Sequence, residues 1–232
     1  MNFKKFVSIA QKGVDKSRFS MKLYRFISKY ISFLFVKLNI TPNQVTVSHN
    51  VMEFCSLFLL LTGNYNIFFL TIIILVLGGI LDNVDGEIAR ATGKTSLKGE
   101  YLDLIGHRII HPMFFLFLSI GVYINHPDIK LLIAGVLAAV GYTISEIATN
   151  VYLHVLCSKG QTQQNILTKN KTNSFLSARW WDYTLFCFDH IKLILFFTLL
   201  FQAPQLVVFI YAPLFVIRAI VAVIIKYRLL LT

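Results

Sequence analysis

Residues 79–112 read "GILDNVDGEIARATGKTSLKGEYLDLIGHRIIHP" and place a group of ionisable side chains in a largely apolar chain. Asp82 and Asp85 are three residues apart, and Asp103 and His107 are four apart, so each pair shares one face of a helix. A short loop joins the two helices, which therefore run antiparallel, and the two pairs can face each other. Carboxylates gathered in this way repel each other unless a cation lies among them.

The composition indicates a membrane protein. Of the 232 residues, 56% are hydrophobic and only 14% are charged, which exceeds what a soluble domain of this length could bury. The net charge is +11, but no soluble basic domain carries it, so nucleic acid is not expected as a partner. Three scattered cysteines form neither a disulfide framework nor a metal-binding spacing.

Six apolar segments follow residues 1–42, each close to the roughly 20 residues that cross a bilayer. We predict an all-α, polytopic membrane protein in which residues 43–232 form a domain of six transmembrane helices. Trp180 and Trp181 end the polar stretch after the fourth segment and suit the headgroup level. The predicted spans are 43–63, 66–90, 99–124, 130–155, 184–203 and 204–227.

Residues 1–42 form a basic arm. From Lys16 onward, apolar residues recur at steps of three and four, which predicts an amphipathic juxtamembrane helix lying on anionic membrane lipids. The alternative is a basic tail without fixed structure. Thr41 and Pro42 then look like the N-cap and first residue of the first span.

The distribution of Lys and Arg predicts the orientation. These residues concentrate in the arm, in the loops after spans two and four, and in the tail, whereas Lys130 alone lies on the opposite side. Both termini are therefore expected in the cytosol. The polar residues within the spans then fall in the cytosolic halves of their helices, which predicts a polar cavity open to the cytosol and disfavours a channel or carrier.

The residue types also indicate chemistry. Carboxylate oxygens favour Mg²⁺ or Mn²⁺, and such ions typically share their carboxylates with substrate phosphates. Gly86 allows backbone or substrate to approach beside Asp85, and Arg90 is placed to meet phosphate oxygens. Phosphate transfer at a metal site follows as the expectation.

The same residues resemble the signature of the CDP-alcohol phosphotransferases, D-x-x-D-G-x-x-A-R-x8-G-x3-D-x3-D. Every position matches except the last, where His107 replaces the fourth aspartate of the family. The segment "TPNQVT" at 41–46 also resembles the opening of the family's first span. Matching positions are Asp82, Asp85, Gly86, Ala89, Arg90, Gly99 and Asp103.

The resemblance implies an enzyme that transfers a phospho-alcohol or phosphatidyl group from a CDP-linked donor to an acceptor hydroxyl, with release of CMP. The acceptor would be a lipid, a small alcohol or a glycan, and the setting lipid biosynthesis. It further implies two Mg²⁺ or Mn²⁺ ions and a homodimer, and the compact size suggests a prokaryotic plasma membrane. By analogy, Asp82, Asp85 and Asp103 hold metal, with His107 as a further candidate, and the nucleotide contacts are Asp82, Gly86, Ala89, Arg90 and Gly99.

His107 has three competing interpretations. It could be the general base, because an imidazole titrates near neutral pH. It could be a metal ligand together with His111, in which case Mn²⁺ or Zn²⁺ suits it better than Mg²⁺. It could instead be structural, with the base supplied by Glu53, Glu146 or Asp189, or with the protein only binding nucleotide.

Three further side chains are candidate contacts to an acceptor or phosphate: Arg108, His111 and Arg218. The two arginines could equally pair with carboxylates or reach the headgroups, and Asp189 could simply pair with Lys192. Two other functional classes stay open: a transporter or ion-binding membrane protein with a carboxylate site, and a silent relative that binds nucleotide without turnover.

Overall fold

The computed structural model describes residues 2–12, 19–158 and 188–231, whose regular structure is entirely helical. The predicted boundaries of the spans agree with the helices to within a few residues wherever the two can be compared. The start of the fifth predicted span, together with Trp180 and Trp181, lies outside the described residues. The helices are α1 (Phe3–Ala10), α2 (Phe19–Lys37), α3 (Pro42–Leu60), α4 (Tyr65–Thr92), α5 (Leu97–Asn125), α6 (Ile129–Ser158), α7 (Phe188–Leu200) and α8 (Gln205–Leu231).

Four of these helices, α4, α5, α6 and α8, are long and apolar enough to cross a membrane. The prediction of an all-α membrane protein is therefore confirmed for the described residues, whereas six spans stay a prediction. The first half of α3 is rich in polar residues, and only 13 residues of α7 are described. The orientation also stays a prediction, because the basic loop before α7 lies outside the described residues.

The chain divides into two compact units, Met1–Ile110 and His111–Thr232. In the first unit, α1, α2 and α3 each pack against α4. Val45 of α3 and Val84 and Ile88 of α4 form a buried cluster, against which apolar side chains of α2 such as Ile31 and Phe35 pack. Helix α4 is thus the element that the rest of this unit surrounds.

The ends of the helices in this unit are fixed by local sequence. Thr41 and Gln44 form a capping box: the Thr41 hydroxyl accepts from the Gln44 N–H at 3.4 Å, and the Gln44 side chain accepts from the Thr41 N–H at 2.9 Å. Pro42 occupies the first turn, as the sequence predicts. Helix α4 ends at Gly93, whose φ of 68° is a left-handed conformation that favours glycine.

Helix α2 has its polar face turned inward. Arg25, Ser28 and Ser32 are buried, whereas Phe26 and Tyr30 are more than half exposed. The Lys29 ammonium lies 4.5 Å from the centre of the Phe26 ring. An outward apolar face bordered by cations is what an interfacial helix presents to lipid, so the predicted membrane-surface role fits this geometry and stays a prediction.

A glycine permits the close approach of α3 and α5. A Cβ at Gly106 would overlap the side chain of Asn50, whose Nδ2 donates to the Leu102 carbonyl at 3.0 Å. Small residues at such contacts let helix backbones approach closely within a membrane. This contact sets the position of the part of α5 that contains Asp103 and His107.

The second unit contains the remainder of α5 with α6, α7 and α8. Helix α6 packs along α8, and a Cβ at Gly141 would lie 2.7 Å from the backbone carbon of Phe215. Phe115, Tyr142 and Tyr211 surround the Phe215 ring. The core of this unit is therefore an aromatic cluster with a close α6–α8 backbone contact at its centre.

We predict that Gly106→Ala lowers the free energy of unfolding by about 1–3 kcal/mol, because the added methyl group displaces Asn50 and breaks its bond to Leu102. In the Asn50→Ala background the same change should cost much less, since the obstructing side chain is absent. Thermal unfolding of the single and double variants in detergent measures this coupling. Additive losses in the two variants would contradict the described contact.

Candidate active site

Asp82 of α4 faces the pair that Asp103 and His107 form on α5. His107 Nε2 lies 3.4 Å from Asp82 Oδ1 and 3.2 Å from Asp103 Oδ1. All three side chains are about one third exposed, so solutes can reach them. One imidazole nitrogen thus bridges carboxylates from two antiparallel helices.

Asp85 turns toward α3 instead. Thr46 Oγ1 donates to Asp85 Oδ2 at 2.5 Å, and Nε2 of the fully buried His49 lies 3.5 Å from the same oxygen. Neither Thr46 nor His49 is among the site residues predicted from the sequence. Their spacing was an available signal, because Thr46, His49 and Glu53 at steps of three and four share one helix face.

Three of these residues form a group that could hold a metal ion. His49, Asp82 and Asp103 each offer one ligand atom, and these atoms lie within 4.8 Å of one another. Two carboxylate oxygens and an imidazole nitrogen suit Mn²⁺, and the carboxylates also suit Mg²⁺. The residues present therefore fit a divalent cation, although the geometry adds His49 to the predicted set of Asp82, Asp85, Asp103 and His107.

A cavity of about 490 Å³ adjoins these carboxylates. This volume lies within the range of small-molecule sites. Asp82, which was expected at the nucleotide, is not among the lining residues of this cavity, whereas Asp103, which was expected as a metal ligand, is one of them. The predicted residues in the wall are Asp85, Gly86, Ala89, Arg90, Gly99 and Asp103, and the walls also include Asn43, Thr46, Lys94, Thr95 and Ser96.

The wall formed by α4 combines a glycine with a guanidinium. A Cβ at Gly86 would lie 3.1 Å from Arg90 Nη1, so the absence of a side chain leaves room for the guanidinium and for a ligand beside it. Arg90 Nε donates to the Ala10 carbonyl of α1 at 2.6 Å. With Lys94 in the loop, this wall carries the positive charge that an anionic ligand requires.

The second unit holds another polar cluster around Tyr142. His111 Nδ1 lies 2.7 Å from the Tyr142 hydroxyl, and its ring stacks on Phe188 with centroids 4.0 Å apart. The Arg218 guanidinium lies 5.7 Å from the Tyr142 ring and 3.3 Å from Glu146 Oε1. His111 and Arg218 thus both lie beside Tyr142. The contact of Arg218 with Glu146 agrees with the interpretation in which this arginine pairs with a carboxylate.

The remaining candidates lie in several places. Arg108 is half-buried on α5 within the first unit. Asp189 pairs with Lys192 at 3.4 Å, as its spacing suggests. Of the alternative bases, Glu53 is 2% exposed and its carboxylate lies against Gly78 of α4. The other two alternative bases each lie beside a cation in the second unit: Glu146 beside Arg218 and Asp189 beside Lys192.

We predict that His49→Ala weakens binding of Mn²⁺ at least about tenfold, because one of the three clustered ligand atoms is lost and Asp85 loses a neighbour. His126→Ala, at an exposed position, is the matched control and should bind as the wild type does. Electron paramagnetic resonance of free Mn²⁺ measures the affinity, and thermal unfolding checks that both variants fold. Wild-type affinity in His49→Ala would exclude His49 as a ligand.

Comparison of the sequence with known proteins identifies the family of this chain. The sequence profile of the CDP-alcohol phosphatidyltransferases matches residues 39–202. A bifunctional IPC transferase and DIPP synthase of Thermococcus kodakarensis is 36% identical over 121 residues, which are 52% of this chain and 27% of that protein. The protein of the same description from Archaeoglobus fulgidus is 39% identical over 115 residues, 49% of this chain and 22% of its own length.

The chain thus spans about a quarter of the length of the curated relatives that it matches. The profile, by contrast, covers well over half of this chain and includes the whole of α3, α4, α5 and α6. The aspartates, glycines and arginines of the quoted stretch all lie within the matched residues. The chain therefore belongs to the CDP-alcohol phosphatidyltransferase family.

Proposed function

We propose that this protein is an integral membrane transferase that moves a phospho-alcohol or phosphatidyl group from a CDP-linked donor to an acceptor hydroxyl and releases CMP. The observation that carries the proposal is the juxtaposition of a nucleotide-sized cavity with a cluster able to hold a cation. Asp85 and Asp103 line that cavity, and Asp82 and His49 lie directly beside them. Family membership supplies the reaction class.

The residues of the cavity suit a CDP diphosphate. Gly86 and Ala89 leave room along α4, and the Arg90 guanidinium presents Nη1 on that wall. Gly99, at the start of α5, also lines the cavity. We assign the diphosphate to the wall near Asp85 and Arg90, where a cation and a guanidinium would together compensate its charge.

Asp82, Asp85 and Asp103, with His49 beside them, would hold one or two Mg²⁺ or Mn²⁺ ions. A bound divalent ion would neutralise charge on the diphosphate and polarise the phosphorus for in-line attack. The acceptor oxygen forms a bond to the phosphorus of the transferred group. The bond from that phosphorus to the bridging oxygen breaks, and CMP departs with the electron pair.

His107 is our candidate for the group that takes the proton of the acceptor hydroxyl. Its Nε2 lies within reach of two carboxylates, and a nitrogen that donates to a carboxylate cannot accept a proton at the same time. Nε2 of His107 can therefore act as a base only once these contacts have been released. The two other interpretations, as a metal ligand with His111 or as a structural bridge between Asp82 and Asp103, are outcomes of the test below.

The printed descriptions of the two relatives suggest which acceptors and donors to test first. The two relatives are named IPC transferase and DIPP synthase, so the substrates of those two activities head the panel, followed by glycerol phosphate, serine, diacylglycerol and glycans. Arg108, His111 and Arg218 are candidate contacts to an anionic acceptor. We further propose a homodimer in a prokaryotic plasma membrane, with both termini and the active site in the cytosol, an interfacial arm over 1–42 and the catalytic domain over 43–232.

The direct test is release of CMP from CDP-diacylglycerol and from CDP-linked small alcohols by purified protein. We expect turnover with Mg²⁺ or Mn²⁺ that falls to background after chelation and returns when metal is restored. Binding of CDP without release of CMP from any donor and acceptor pair would instead identify a silent relative. Absence of both binding and release would favour a transporter or ion-binding protein.

We predict that His107→Ala abolishes turnover while the affinity for the CDP-linked donor persists, because the base is removed and the nucleotide wall is untouched. His107→Asp, which restores the family's residue, should retain measurable activity. Near-normal turnover in His107→Ala would rule out the base role. Loss of Mn²⁺ affinity in that variant would favour the ligand interpretation.

A further inference from the structure

A buried carboxylate on α4 binds the N-terminal arm. Glu87 lies between Gly86 and Ala89 of the quoted stretch, and its side chain is 0% exposed. It accepts hydrogen bonds from the Ser28 hydroxyl at 2.8 Å, the Ser32 hydroxyl at 2.6 Å and Gln11 Nε2 at 2.9 Å. Each of these donors belongs to the arm.

This network is more specific than apolar packing. A buried carboxylate is strongly unfavourable unless hydrogen bonds and a counter-charge compensate it, and Arg25 Nη1 supplies the latter at 3.7 Å from Glu87 Oε1. The two serines lie on the inward face of α2, whose apolar face points outward. The arm is therefore held against α4 in one register by directional bonds.

The same network fixes the end of α1 beside the cavity. Gln11 donates to Glu87 and also to the Arg25 carbonyl at 2.9 Å. The residue before it, Ala10, is fully buried, and its carbonyl accepts from Arg90 Nε at 2.6 Å. Gln11 is thus hydrogen-bonded to Glu87, and its chain neighbour Ala10 is hydrogen-bonded to Arg90 in the cavity wall.

This connection restricts the conformation of the long and flexible Arg90 side chain. An arginine loses considerable rotamer freedom when it is held in one geometry. The Ala10 carbonyl accepts from Nε, and Nη1 then lies beside Gly86, which lines the cavity together with Arg90. The guanidinium is thereby oriented before any ligand arrives, which favours affinity for an anionic group.

We propose that Glu87 is a positioning residue for the donor nucleotide: by anchoring the arm to α4, it makes the Ala10 carbonyl orient Arg90 toward the diphosphate. The proposal rests on the proposed function, because it takes the ligand of the cavity to be a CDP-linked donor. Linkage makes the effect reciprocal. Nucleotide bound at Arg90 stabilises the docked arm, and the docked arm strengthens binding of nucleotide.

The test uses the double variant Ser28→Ala/Ser32→Ala, which removes two donors to Glu87 without altering the cavity. Ser8→Ala is the matched control, because the Ser8 hydroxyl is exposed and bonds only to the Lys5 carbonyl one turn away among the described contacts. We expect the double variant to raise KM for the donor and Kd for CDP by about tenfold, the size of one weakened charge-assisted contact. The control should match the wild type, and kcat should change little in both.

Two further readouts separate positioning from general destabilisation. Amide hydrogen exchange in α1 should accelerate in the double variant, and CDP should slow it in the wild type. In an Arg90→Ala background, the double substitution should add little to Kd, because the residue through which it acts is absent. A fall in kcat and thermal stability at unchanged KM, or equal effects with and without Arg90, would overturn the proposal.

Failure of this inference is distinguishable from failure of the proposed function. If the wild type binds CDP and releases CMP, and the double variant binds CDP equally well, the positioning role of Glu87 is wrong and the proposed function stands. If the wild type binds no CDP and releases no CMP, the nucleotide assignment is wrong and the positioning role falls with it.

Discussion

Three carboxylates near the end of α4 must be compensated within an apolar helix, and each is compensated by a different neighbour. Asp82 lies against His107 of α5, Asp85 against Thr46 and His49 of α3, and Glu87 against the serines of α2 and Gln11 of the arm. Because an unpaired buried charge is strongly destabilising, each of these contacts fixes the register of one element against α4. The first unit is arranged around these requirements.

The three contacts differ in how permanent they can be. Glu87 is fully buried and accepts several hydrogen bonds, which suits a structural anchor. Asp82 and Asp103 are about one third exposed, and one imidazole nitrogen lies near both. A divalent cation could take the place of that imidazole as the counter-charge. The same physical requirement therefore accounts for a fixed arm on one side of α4 and a site able to bind a cation on the other.

Spacing alone predicted the elements that are close in sequence. The antiparallel relation of α4 and α5, and the facing of Asp82 toward Asp103 and His107, follow from steps of three and four and a short loop. The Thr41 N-cap could also be predicted, because the residues that form it are neighbours in the sequence. Contacts between residues far apart in the chain were not predictable: Ser28 and Glu87 are 59 positions apart, and only packing of α2 on α4 brings them together.

Other features of the site were partly visible in the sequence. The helical face shared by Thr46 and His49 was present, but its direction depends on how α3 rotates against α4, which a single sequence does not specify. The arm's amphipathic periodicity predicted an outward apolar face but not that the opposite face would be buried on α4. For Arg218, pairing and ligand contact were equally open, and its contact with Glu146 comes from the packing of α6 on α8.

In the proposed function, divalent metal and the diphosphate of one CDP-linked donor share the cavity beside the α4 carboxylates and Arg90. Anomalous diffraction at the manganese edge, from crystals grown with a CDP-linked alcohol and Mn²⁺, tests it most directly. We expect an anomalous peak among the carboxylates of Asp82, Asp85 and Asp103, with the diphosphate directed toward Arg90. Manganese elsewhere, or a nucleotide bound away from Gly86 and Arg90, would contradict it.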